Sequence, residues 1–293
     1  MNDIFQRQNS DLFIERLRAQ GHIYDKAKTY SHWIVVASII VVFIISVLKL
    51  RLPDFDFLKT FSVVYGIVST IACAVLEWQR KKKINLAARI QQLIDCDLFG
   101  ISWWRNWGEK PALEEIQAEA KEESPDRYVN WYDEAIQKLS KQSAIIVCFR
   151  CNIMYDHKLR KKYIKMCHLI FWNIFSLIFV WCVWMNYSSL DIIYCGVAPA
   201  LPVIMMYVRT WIAENTDTAN LERIRSDVEN LQQRILNGEG IPANENLLIQ
   251  DAIFAHRNNS FSIPTFFYKK YRSENEESMH EFASRLAEHL IKA

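Results

Sequence analysis

The sequence predicts an all-α membrane protein: two transmembrane helical hairpins, four spans in all, joined to a cytoplasmic helical domain formed by the central and C-terminal segments. Three observations carry this expectation. Four uncharged apolar blocks come in two pairs, Thr29 to Leu48 with Thr60 to Leu76, then Met166 to Leu190 with Ile192 to Val208. Each meets the roughly 17 to 25 residues needed to cross a hydrocarbon core of about 30 Å. Basic clusters stand against two of the block ends. Between and after the blocks the chain is polar, with apolar residues at helical spacing. The competing reading, four core helices of a soluble protein, has to contend with the shorter usual length of core segments.

The boundaries follow the charges. Arg80 to Lys83 directly follow the second block, and Lys158, Arg160, Lys161, Lys162 and Lys165 precede the third. The link between the first two blocks holds Lys49, Arg51 and Lys59 partly balanced by Asp54 and Asp56, and the other link holds only Asp191. The positive-inside bias then puts both termini and the central segment in the cytoplasm. The expected organisation is a cytoplasmic N-terminal segment (1–28), a first hairpin (29–78), a central helical region (79–165), a second hairpin (166–210) and a C-terminal helical region (211–293). Residues 1–28 are polar, with no apolar stretch leading to a small-residue cleavage site, so the first helix is expected to be its own membrane signal.

Each soluble element has its own signal. Ile84, Ala87, Ile90, Ile94 and Leu98 continue the second span as an amphipathic helix, which Gly100 ends. An acidic helix over Glu114–Glu123 starts near Pro111, and Ser124-Pro125 breaks the chain. From Asp126, the spacing of Tyr128, Trp131, Tyr132 and Ile136 predicts an aromatic helix. Ala144 to Tyr163 runs without Gly or Pro into the third span, a stretch able to transmit movement to the membrane. Leu221, Ile224, Val228, Leu231 and Ile235 have the a/d spacing of a coiled-coil seam over about two heptads. That seam suits either oligomerisation or packing on Ile84–Leu98 of the same chain. Gly238, Gly240 and Pro242 stop it, and a shorter helix follows through Leu248, Ala252 and Ile253. Ser260–Tyr268, with Pro264 among aromatics, is expected to be extended. A last helix presents Met279, Phe282, Leu286 and Leu290 on one side.

Composition and motifs narrow the chemistry. A net charge of +2 does not mark a binder of DNA or RNA polymers. With only seven glycines there is no Gly-rich phosphate loop, and neither His-Glu-x-x-His nor Gly-x-Ser-x-Gly occurs. No enzyme activity and no cofactor are therefore expected. The seven cysteines are odd in number and dispersed, which fits reduced thiols rather than a disulfide framework. Cys148 and Cys151 have Cys-x-x-Cys spacing near His157, but zinc needs a further ligand and no second pair exists, so they read as small packing residues. No metal is assigned.

The membrane blocks offer only weakly polar groups such as Ser38, Ser46, Thr70, Asn173 and Ser176, with His168 at an interface. A self-contained transporter normally keeps ionisable groups there. Permeabilisation would require several chains to assemble, or a rearrangement that disturbs the lipid. Gly196, Pro199 and Pro202 suit a hinge in the fourth block or simply tolerated membrane prolines.

The polar words of the chain carry a resemblance. Gln6-Arg7-Gln8-Asn9, then Leu17, Ala19-Gln20, Tyr24 and Ala27-Lys28, are followed by Asp95-Cys96-Asp97-Leu98-Phe99, Trp131-Tyr132 and Cys148 to Asn152. Asp156, Leu159-Arg160 and Tyr163 come next, then Gln250-Asp251, Ile253, Arg257, Pro264 and Tyr268. Their order around two hairpins resembles the SMODS-associating four-transmembrane effectors of bacterial antiviral defence. Phe149 and Tyr155 depart from that pattern, which has glutamine and tryptophan there. The resemblance implies an antiphage effector encoded beside a cyclic-oligonucleotide synthase. It would be gated by that nucleotide and disrupt the inner membrane, causing abortive infection. Membrane lipids and further copies of the chain are its expected partners. An ion channel or regulatory scaffold without nucleotide gating is the alternative.

A cyclic oligonucleotide offers phosphates to arginine forks and bases to aromatic rings. Arg7, Trp131, Arg150, Asn152, Arg160, Tyr163 and Arg257 are the expected ligand-binding set. The other reading of the same residues is an internal polar network, in which Asp156 and Arg160, four apart on a helix, pair with each other. The basic clusters near the membrane read as topology signals and contacts for anionic lipid.

Overall fold

The computed structural model describes residues 2–52, 55–120, 128–186 and 188–292, and every regular element among them is helical. A short α1 (Ile4–Gln8) precedes α2 (Asp11–Val35), which continues through a π-helical turn, Val36–Ile40, into α3 (Val41–Arg51). Then come α4 (Asp56–Phe99), α5 (Leu113–Ala120), α6 (Lys141–Trp184) and a single turn, α7 (Ser189–Asp191). After a second π-helical turn, Ile192–Val197, follow α8 (Ala198–Leu236), α9 (Ala243–Asn259) and α10 (Thr265–Lys292).

Helices α4 and α6 have 44 residues each. At 1.5 Å per residue each is about 66 Å long, roughly twice the hydrocarbon thickness. The two halves of each helix treat apolar side chains oppositely. In α4, Val63, Ile67, Val68 and Ile71 are 59–63% exposed, whereas Ala87, Ala88 and Ile90 are fully buried. In α6, Leu169, Leu177 and Val180 face outward, whereas Ala144, Ile146, Val147 and Cys148 lie in the core. Outward leucine, isoleucine and valine in such density has one solvent that suits it, lipid. The soluble-core reading fails on this exposure.

Among the described residues three helices are long and apolar enough to cross a membrane: Asp11–Ile45, Asp56–Phe99 and Lys141–Trp184. The fourth block, Ile192 to Val208, is instead divided between the second π-helical turn and the start of α8, so the described residues support three spans where four were expected. That division falls on the Gly196–Pro199 stretch, with proline in the first turn of α8, where its missing N–H costs a helix least.

The soluble halves pack into one body. Helix α2 lies on α4 and α5, α6 lies on α8 and α10, and α9 bridges α4 to α8. Leu221, Ile224, Val228 and Leu231 are buried within the chain, mainly against α6 rather than against Ile84–Leu98, because α2 and α9 already cover α4. Cys148 and Cys151 are buried packing residues, and His157 pairs with Glu222. Phe149 is fully buried edge-on to Phe99, a site glutamine would fill only with lost hydrogen bonds.

Two local expectations are corrected, and a third falls partly outside the described residues. Tyr128–Ile136 is not a helix but a turn, with Asn130 at φ +56°, followed by a 3₁₀ segment, Glu134–Lys138. The Gln8 side chain both accepts from Tyr132 N (2.8 Å) and donates to Tyr132 O (3.0 Å), taking the groups a helix would have used. The acidic helix is described over Leu113–Ala120, and the rest of its expected range with the Ser124-Pro125 break lies outside the described residues. Only Ser260–Pro264 is irregular, since α10 begins at Thr265 directly after the proline.

Gly100 ends α4 at φ +75°, and a Cβ there would stand 2.9 Å from Lys141 Nζ. Gly100→Ala is expected to cost about 1–2 kcal/mol through the left-handed backbone, read as a lowered unfolding midpoint in detergent. An unchanged midpoint would mean the turn can re-form without that conformation.

Candidate functional site

A cavity of about 300 Å³ lies where α2, α4, α6 and α9 meet the Ser260–Ile263 segment. Aliphatic and polar residues share its wall with the aromatic side chains of Tyr24, Trp131, Tyr132, Tyr155, Phe261 and Tyr268. Trp131 sits 5.3 Å from the Tyr155 ring centre. Trp131 Nε1 donates to Asn152 Oδ1 (3.3 Å), and Asn152 Nδ2 donates to the Tyr132 hydroxyl (2.8 Å). The turn at 128–132 thus places a tryptophan against α6 that a helix there would have rotated away.

Four of the seven expected residues line this cavity: Trp131, Asn152, Arg160 and Arg257. The others do not. Arg7 donates to the Asp97 carbonyl (2.7 Å), tying the N-terminus to the end of α4. Arg150 faces α8, reaching Gln232 at 3.1 Å and Glu229 at 3.0 Å. Tyr163 is packed between Phe261 and Phe267.

Both cavity arginines already have carboxylate partners. Arg257 contacts Asp95 at 2.5 Å, and Gln250 donates to the same oxygen at 2.8 Å. Burial opposes the Arg257 charge, but Asp95 outweighs it and the pKa is raised. Arg160 is shared among three carboxylates: Asp156 on α6 (3.1 Å), with Glu214 (3.3 Å) and Asp217 (2.9 Å) on α8. It also donates to the Phe261 carbonyl (3.1 Å), while Phe261 N donates to Asp217 (2.8 Å). His256 of α9 meets Asp156 at 2.7 Å. Asp156 is 31% exposed because it faces the cavity. Burial would raise its pKa, yet Arg160 and His256 together hold it well below the carboxylate range. Burial dominates at Glu214, pushing it up to about 7 against the pull of Arg160, with Asp217 adding to the rise. Asp217 is raised too, chiefly by burial, and Arg160 and the Phe261 N–H oppose the rise.

Glu214, Asp217 and His256 escaped the sequence reading. The available signal was a pair of carboxylates one helical turn apart just beyond the last apolar block, which by itself looks like any solvated helix end. Among the described residues no group of His, Cys, Asp and Glu is arranged to hold a metal ion.

Long helices apolar outside at one end and packed inside at the other, with a cavity between them, define a membrane-anchored helical protein with a packed helical body outside the membrane. The description "SMODS-associating 4TM effector domain" matches residues 2–286, and the chain belongs to that family of membrane effectors, which is associated with cyclic-oligonucleotide antiphage signalling. No curated protein and no solved structure matches it.

Proposed function

We propose that this protein is a non-enzymatic, homo-oligomeric effector of the bacterial inner membrane, gated by a cyclic oligonucleotide, whose opening or rearrangement destroys membrane integrity and aborts phage infection. The Ile192–Val208 block completes a fourth span, and both termini and the central region face the cytoplasm. One observation carries the reading: the helices that wall the cavity, α2, α4 and α6, are the same helices that enter the membrane. A ligand pressing on the cavity therefore acts on the spans without an intervening linker.

The cavity chemistry refines what enters. Its arginines are compensated, and Asp25, Asp95 and Asp156 also line it, so a phosphate meets little net positive charge. The aromatic side chains in its wall instead suit a base, stacked as on other single-strand platforms. The volume is at the small end of ligand pockets, room for a nucleoside portion rather than a whole ring of nucleotides. The same compensation favours the second reading, a scaffold held by an internal network.

Dye release from vesicles of phosphatidylethanolamine and phosphatidylglycerol carrying the purified protein separates the two. Release that depends on a cyclic oligonucleotide is the expected result, and Trp131→Ala is expected to weaken the response about tenfold through lost stacking. Equal leakage with and without every nucleotide made by the partner synthase would remove the gating reading.

A further inference from the structure

We propose that Glu214 is a proton-binding switch at the junction of the soluble body and the membrane: protonated, it lets one guanidinium clasp α6, α8 and the Ser260–Pro264 segment, and its deprotonation loosens that clasp and the spans beyond it. The position is the first argument. Arg160 lies six residues before the third apolar block and Glu214 six residues after the fourth, so the clasp ties the membrane helix α6 to the helix that leaves the fourth block, a second span on the proposed reading.

Charge counting is the second. Three carboxylates face one arginine, and the Glu214 side chain has no exposure at all, with Asp217 only 10% exposed. Asp156 has His256 and the cavity to relieve it, but water screens Glu214 and Asp217 little, so a proton on one of these two relieves the cluster. Geometry selects which. Asp156 is met by both Arg160 and His256, and Asp217 accepts from Arg160 and from Phe261 N. Among the described residues the Glu214 carboxylate receives the two 3.3 Å contacts from Arg160 Nη1 and no others.

The charged and titratable groups around Glu214 are Arg160 and Asp156, with Tyr163 and Cys167, on α6, Asp217 on its own helix, and His256 from α9 acting through Asp156 and Asp217. None of these supplies a second positive charge directly on Glu214. The raised affinity of Glu214 for its proton supports the assignment. The sign follows: a carboxyl that holds its proton more tightly when folded stabilises the clasp at low pH, and that contribution is lost as pH rises through about 7. Between the ordinary carboxyl range and about 7 the open form gains by up to about tenfold per pH unit, and above about 7 the gain is complete.

The switch is independent of the nucleotide reading, so the full-length protein in dye-loaded vesicles is tested without nucleotide, the pH stepped from about 6 to about 8.5. Leakage is expected to rise through neutrality in the wild type and to stay at its low-pH level in Glu214→Gln. Difference infrared spectra give the readout that does not need a variant to fold: a buried protonated-carboxyl stretch in the wild type should disappear over the same range. Its absence at the acidic end, or identical leakage profiles in wild type and Glu214→Gln, overturns the proposal. Nucleotide-gated release with no pH dependence would do so while leaving the proposed function intact.

Discussion

Replacing Arg160 with methionine is expected to destabilise the protein by about 3–5 kcal/mol above neutral pH, because it leaves buried carboxylates with no counter-charge. Asp217 and Glu214 would then oppose each other on one helix turn, and the Phe261 carbonyl would lose a donor. The loss should shrink at acid pH, where both carboxyls take up protons and the variant core becomes neutral. This pH dependence identifies the mechanism, since a mere packing defect would cost the same at either pH. Arg160→Lys is not expected to rescue, as one ammonium cannot reproduce the planar fork that reaches α6, α8 and Phe261 together. Chemical unfolding of the detergent-solubilised protein, repeated at acid and mildly alkaline pH, measures both effects. A variant as stable as wild type at alkaline pH would show that the cluster is not holding the helices.

Asp95→Ala is expected to have a comparable effect, about 3–5 kcal/mol, for the opposite reason: it strands a cation. Arg257 is 11% exposed and Asp95 6% exposed, and Gln250 also spends its amide on the same carboxylate. The pair joins α4 to α9 beneath the cavity, so its loss should also loosen nucleotide-responsive leakage. Adding Arg257→Met to Asp95→Ala should recover a large part of the stability, since the stranded charge is then gone. Additive losses in that double-mutant cycle would show that the two side chains do not depend on each other.

Much of the fold was readable because its signals are local. Uninterrupted apolar blocks running into helically spaced residues foretold α4 and α6 as single helices that leave the membrane and enter a soluble body. Gly100 and Gly238 marked helix ends by the positive φ that glycine tolerates. Tyr128–Ile136 was misread because aromatics at helical spacing cannot reveal that Gln8, far away in the chain, claims the Tyr132 backbone. The seam of α8 was rightly seen as apolar, but the partner expected within the chain was Ile84–Leu98, and the helix it packs on is mainly α6.

The site divides in the same way. Sequence alone determined a membrane protein of long helices and its family, because hydrophobic run length and residue order are properties of the chain itself. Only the tertiary structure decided that Arg160 meets Asp156, Glu214 and Asp217, that Arg257 meets Asp95, and that Arg7, Arg150 and Tyr163 stand outside the cavity. Those outcomes depend on which distant residues share a water-free volume. There burial and proximity, rather than residue type, set the charge each group carries.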